Sequence, residues 1–103
     1  MTKYSKYPTL TITFADPNTL EITPGFRDEL AKIVNPIVEV SSIRTRQETQ
    51  TIFMNLVDDS FLFCDNRENT VSFSTTSKKA PEILDKLKLM FQISFQSKIK
   101  SIQ

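Results

Sequence analysis

Histidine is absent from this chain of 103 residues, and cysteine and glycine occur once each. Each shortage removes a class of chemistry. Without an imidazole there is no histidine general base or proton shuttle. Ser-His-Asp and Cys-His nucleophilic sites are excluded with it. Zinc sites that use histidine are excluded too, and Cys64 alone cannot make a thiolate cluster. Gly25, as the only glycine, leaves no glycine-rich phosphate loop and no dinucleotide-binding fingerprint. A single cysteine forms no internal disulfide. No apolar run approaches the roughly 20 residues that span a bilayer. The segment Met1-Thr2-Lys3-Tyr4-Ser5-Lys6-Tyr7 carries lysines with no apolar stretch behind them, so a secretory signal is not expected. Together these features point to a reducing intracellular compartment, cytoplasmic or nuclear.

What is present is enough for one core. Hydrophobic residues make up 39% of the chain, including eight phenylalanines, each a large apolar side chain with no polar atom to satisfy. A chain of this length buries roughly 65% of its unfolded surface, which predicts a single domain over residues 1–103. The net charge of +1 conceals an uneven distribution. Residues 36–70 hold Arg44, Arg46 and Arg67 against Glu39, Glu48, Asp58, Asp59, Asp65 and Glu68. Residues 71–103 hold Lys78, Lys79, Lys86, Lys88, Lys98 and Lys100 against Glu82 and Asp85. Such a split fits either an anionic partner for the basic end or an internally complementary surface.

Period and turn chemistry place the elements. Leu10, Ile12 and Phe14 alternate with Thr9, Thr11 and Thr13, the pattern of a half-buried strand. Ala15-Asp16-Pro17-Asn18 predicts a turn, and Leu20-Glu21-Ile22 a short return strand. Thr23-Pro24 reads as an N-cap and a first helical position. Phe26, Leu30, Ile33 and Val34 follow at helical spacing until Asn35-Pro36 stops the helix. Residues 37–76 read as four strands. The polar run Thr45 to Thr51 forms either a solvent-exposed hairpin tip or an overhanging strand pair. A second helix spans about 80–97, with Ile83, Leu84, Leu87, Met90, Phe91 and Phe95 on one stripe. Residues 1–6 and 98–103 are expected to fray. The fold expected is an α+β domain in the order β-β-α-β-β-β-β-α. A mainly antiparallel sheet of about five to six strands carries both helices on one face.

Four groups of residues invite a functional reading. Asp58, Asp59, Asp65 and Glu68 supply oxygens that suit calcium or magnesium, but their spacing fits no calcium loop and they read as solvated turns. Cys64, inside Phe61-Leu62-Phe63-Cys64, reads as a small buried hydrophobe. Lys78 and Lys79 open the second helix, with Lys86 and Lys88 further on; lysines there oppose the helix dipole and suit phosphate contact. Over residues 24–97 a helix, strands and a second helix opening on that lysine pair faintly resemble the double-stranded RNA-binding domain. The chain departs from that family by an extra strand. Its strand loops hold no glycine or histidine, and its second helix is not alanine-rich. It is not assigned to the family.

The fourth group is apolar. Leu89 and Ile93 stack at i and i+4, close to the face opposite the main stripe. They form either a partner surface or a face covered by Ile99 and Ile102 folding back. The expected function is that of a non-catalytic intracellular interaction domain: a small subunit, adaptor or inhibitor whose partner is another protein or a second copy. Leu89, Ile93 and the Ser42–Thr51 hairpin with Arg44 and Arg46 carry that reading. The alternative is a nucleic-acid-binding module using Lys78, Lys79, Lys86 and Lys88. No catalytic residue, metal or cofactor is expected. Melting curves with EDTA, calcium or magnesium should therefore coincide; a reproducible rise with calcium would mean that the acidic turns bind it, since ligands of the native state stabilise it.

Overall fold

The computed structural model describes residues 7–103. The expected fraying of residues 1–6 lies outside them. Alternation builds the first strand, β1 (Thr9–Phe14): Leu10, Ile12 and Phe14 are buried, and the three threonines take the other face. Helix α1 (Pro24–Val34) starts where expected, with the Thr23 hydroxyl accepting from the Phe26 amide at 3.2 Å. Strands β2 (Val40–Arg46), β3 (Thr51–Leu56), β4 (Phe61–Arg67) and β5 (Thr70–Thr75) follow as consecutive antiparallel hairpins. Residues 47–50 turn the first of these, so the polar run forms the strand ends and a hairpin tip. Helix α2 (Ala80–Ser94) leads through a 3-10 turn at Gln96–Lys98 into β6 (Ile99–Ile102).

The sheet order is β2-β3-β4-β5-β1-β6, six strands with every neighbouring pair antiparallel. Both helices lie on one face and the domain is α+β, as the sequence predicts. The core is laid down in rows across the strands. Thr45, Ile52, Cys64, Phe73 and Leu10 are successive register partners, and Ile43, Met54 and Leu62 make another row. From the helices, Leu30, Val34, Ile83, Leu87 and Phe91 complete the interior, each fully buried. The Phe91 ring lies 6.2 Å from Phe14, 5.5 Å from Phe73, 6.1 Å from Phe26 and 5.3 Å from Phe95, so it touches both helices and the sheet.

Two expectations at the sheet's edge are corrected. Leu20–Ile22 is not a strand, and residues 98–103 do not fray. The two facts have one cause. β1 sits between β5 and β6, so neither of its edges is free for a return strand. β6 takes the position instead, pairing Ile12 with Ile102 and Thr13 with Ser101. The Ala15 amide donates to the Lys98 carbonyl at 2.9 Å and the Gln103 amide to the Thr11 carbonyl at 2.8 Å, tying down both ends of β6.

Side chains satisfy the displaced segment in place of a ladder. The Gln50 Oε1 accepts from the Ile22 amide at 2.8 Å and from Asn66 Nδ2 at 2.9 Å. Gln50 Nε2 donates to the Ile22 carbonyl at 3.4 Å, and Asn66 Nδ2 also donates to the Leu20 carbonyl at 2.9 Å. Gln50 is itself left-handed, with φ 54°, as are Asn18, Asp59 and Glu68 at other turns. A chain with almost no glycine makes these turns with residues for which that geometry is uncommon. The clamp is worth its strain because Ile22 is fully buried and its backbone has no water to turn to. Gln50→Ala should destabilise the domain by about 1–3 kcal/mol, because it leaves the buried Ile22 amide unpaired while the Ile22 carbonyl keeps Gln47 Nε2 as a donor at 3.5 Å. Urea titrations of Gln50→Ala, Asn66→Ala and the double variant should give less than additive losses, because the two side chains share one network.

Candidate functional site

Leu89 and Ile93 are exposed, at 51% and 71% of their surface. Neither Ile99 nor Ile102 covers them: both belong to β6 and pack against the core from the sheet. The pair does not stand alone. The end of α1 and the residues after it run beside this part of α2, and Ile33, Pro36, Ile37, Leu89, Met90 and Ile93 line one groove of about 470 Å³. Its sequence origin is legible on α2 but not on α1. Ile33 reads as part of the α1 apolar stripe and Ile37 as the start of a strand; Ile37 instead lies in the turn before β2, and both are half-buried. Glu29, Lys32 and Lys86 border the groove. Lys32 and Glu29 pair with each other at 3.4 Å, while Lys86 makes no ion pair among the described residues.

The lysines of α2 do not gather. Lys86 and Lys88 are two positions apart, about 200° around a helix, and so project from nearly opposite sides. Lys79 sits at the N-cap and pairs with Glu82 at 3.8 Å, which relieves its repulsion from the helix dipole without any phosphate. Lys78, Lys79, Lys86 and Lys88 are all exposed, and no single face of the helix presents them together.

Arg44 and Arg46 lie on β2, an edge strand of the sheet. Register puts them on the face turned away from the helices, because Arg44 pairs with Phe53 and Arg46 with Thr51. This face also carries aromatic rings. Phe53, Phe61 and Phe63 are half-buried there, with Phe53 and Phe61 stacked at 5.2 Å and 25°. The sequence signal for this is that β4 reads Phe61-Leu62-Phe63-Cys64, apolar on both faces, while its core side takes Leu62, Cys64 and Asn66.

The acidic residues do not converge. Asp58 and Asp59 occupy the β3–β4 turn, while Asp65 and Glu68 lie at the far end of β4, roughly 20 Å away at 3.3 Å per residue. Asp65 pairs with Arg67 at 2.9 Å. Among the described residues no group of three His, Cys, Asp or Glu side chains is placed to hold a metal. Cys64 is buried, and burial pushes its thiol well above its ordinary range, which suppresses the nucleophilic thiolate. No helix among them is long and apolar enough to cross a membrane.

Asp58 has a structural task. Its Oδ1 accepts from the Ser60 amide at 3.1 Å and from the Ser60 hydroxyl, and its Oδ2 from the Ser77 hydroxyl at 3.4 Å. The β3–β4 turn is thereby tied to the entry of α2. The Ser60 hydroxyl bond holds the Asp58 carboxyl below the usual carboxylate range. Stability from this group is present above its unfolded pKa, about 3.9, and is lost as pH falls through the lower native value. Asp58→Asn should lower the melting temperature at pH 7, and the gap to the parent chain should close only below about pH 4, read by thermal melts across pH.

No family model matches the chain, and neither the curated proteins nor the solved structures searched contain a match to it.

Proposed function

We propose that this is a non-catalytic protein-interaction domain, a small subunit, adaptor or inhibitor of an intracellular complex, that docks its partner in the groove between α1 and α2. The observation that carries the reading is the exposure of Leu89 and Ile93 beside Ile33, Ile37 and Met90. Isolated surface apolar residues are ordinary, whereas a contiguous patch on two helices is the usual anchor region of an interface. A groove between helices suits an amphipathic helix presenting apolar anchors at i, i+3, i+4 and i+7. Lys86 at its border, without an ion pair among the described residues, favours acidic residues flanking those anchors. Histidine-based catalysis is excluded by composition, and the one thiol is buried.

The test is the double variant Leu89→Glu with Ile93→Glu. Both side chains are exposed, so its stability should stay within about 0.5 kcal/mol of the parent chain. Leu87→Ala, a core truncation, should instead destabilise by roughly 2–5 kcal/mol. Affinity capture from nuclease-treated lysate, with sedimentation to score self-association, should show a specific complex for the parent chain that the double variant loses. A complex that survives both glutamates places the interface elsewhere. Equal destabilisation by the two variants would mean that Leu89 and Ile93 serve the monomer.

A further inference from the structure

We infer that the sheet face turned away from the helices binds single-stranded nucleic acid, with bases stacking on Phe53 and Phe61 and phosphates held by Arg44 and Arg46. The inference starts from a departure in the sheet's own pattern. An antiparallel sheet with one wet face should alternate apolar and polar residues. β1 and β5 do so, giving Thr9, Thr11 and Thr13 and Thr70, Ser72 and Ser74 to the outer face. At β3 and β4 the alternation fails: apolar residues occupy both sides, and those on the outer face are the rings Phe53, Phe61 and Phe63.

Register orders that outer face. One row runs Arg44, Phe53, Phe63, Ser74, Thr9 from the β2 edge inward. The next runs Arg46, Thr51, Asp65, Ser72, Thr11. Phe61 stands diagonal to Phe53 and stacks on it, and Tyr7 meets Phe61 edge-on at 5.8 Å. Aromatic rings therefore sit mid-sheet, with arginines on one side and hydroxyls on the other.

The charges of this face select the partner. Asp65 is its acidic residue in these rows, and Arg67 neutralises it at 2.9 Å. Arg44 and Arg46 are exposed and form no ion pair among the described residues. The uncompensated charge is thus positive and consists of guanidinium groups, which bind phosphate through paired donors and stack on bases. Aromatic platforms flanked by such groups bind single strands with little sequence preference, because every base has a π-face. Duplex offers no exposed base to stack. A hydrophobic protein partner would call for aliphatic neighbours around the rings, and here their register partners and same-face neighbours on β2, β3 and β5 are Arg44, Thr51, Asn55 and Ser74.

The probes are fluorescein-labelled oligouridylate and oligothymidylate of about ten nucleotides, and a duplex of the same length, read by anisotropy at about 50 mM salt. Both single strands should bind more tightly than duplex. The log–log salt slope should be about −1.4, as two phosphate contacts give on single strands. Tighter binding of oligouridylate than of oligothymidylate assigns the site to RNA, and the reverse to DNA. Phe53→Ala and Phe61→Ala should each weaken binding about tenfold, the stacking of one base. Phe61→Tyr keeps a ring and should bind as the parent does. Arg44→Gln with Arg46→Gln touches only exposed side chains, so it should fold normally, weaken binding and flatten the salt slope. Absence of binding at chain concentrations up to about 100 µM overturns the inference. So does binding that the arginine double variant leaves unchanged. Self-association lost in Phe53→Ala, with no oligonucleotide bound, would assign the face to a second copy of the chain and equally overturn it.

Discussion

Phe91 is where this domain is held together. It is fully buried, and the rings of Phe26 on α1, Phe14 on β1, Phe73 on β5 and Phe95 beyond α2 pack around it. Those residues are far apart in sequence, so one aromatic cluster fixes α2 on the sheet, α1 beside α2, and the turn that feeds β6. Ring packing of this kind adds to plain area burial and prefers tilted or offset geometry, which gives the cluster a definite arrangement. A domain with one modest core depends on such a centre, since native domains are stable by only about 5–15 kcal/mol.

The consequence is a division of the surface. Because both helices are drawn onto one side of the sheet, the other side keeps no helical cover among the described residues. The helix layer ends in an aliphatic groove, with Leu89 and Ile93 at its margin. The sheet layer presents rings and guanidinium groups. The two surfaces lie on opposite sides of one core and share no residue. Occupying one would leave the other accessible.

Polar side chains solve the problems that this chain's composition creates. With Gly25 the only glycine and placed in α1, left-handed turn positions fall to Asn18, Gln50, Asp59 and Glu68. Gln50 and Asn66 then give the backbone of Leu20–Ile22 the partners that a strand would have supplied. Asp58 does the same for the junction of β3, β4 and α2. Residues that look in sequence like solvated turn formers are committed to holding connections, which also explains why the acidic cluster offers no shared site.

Local pattern decided the elements. The Thr23-Pro24 start of α1, its stop at Asn35-Pro36, the alternation in β1 and β5 and the apolar stripe of α2 are all short-range properties, and each appears where the sequence places it. The exclusion of histidine chemistry is likewise read directly from composition. Competition between segments decided the rest. Leu20–Ile22 and Ile99–Ile102 are both short and apolar, and which of them joins β1 depends on the one edge left free by β5. The half-exposed Ile33 and Ile37 and the row joining Arg44 to Phe53 arise in the same way. A side chain's period tells which face of its own element it occupies. Whether that face meets core, groove or solvent is settled only when the other elements have packed, because burial is a property of the assembly and not of the segment.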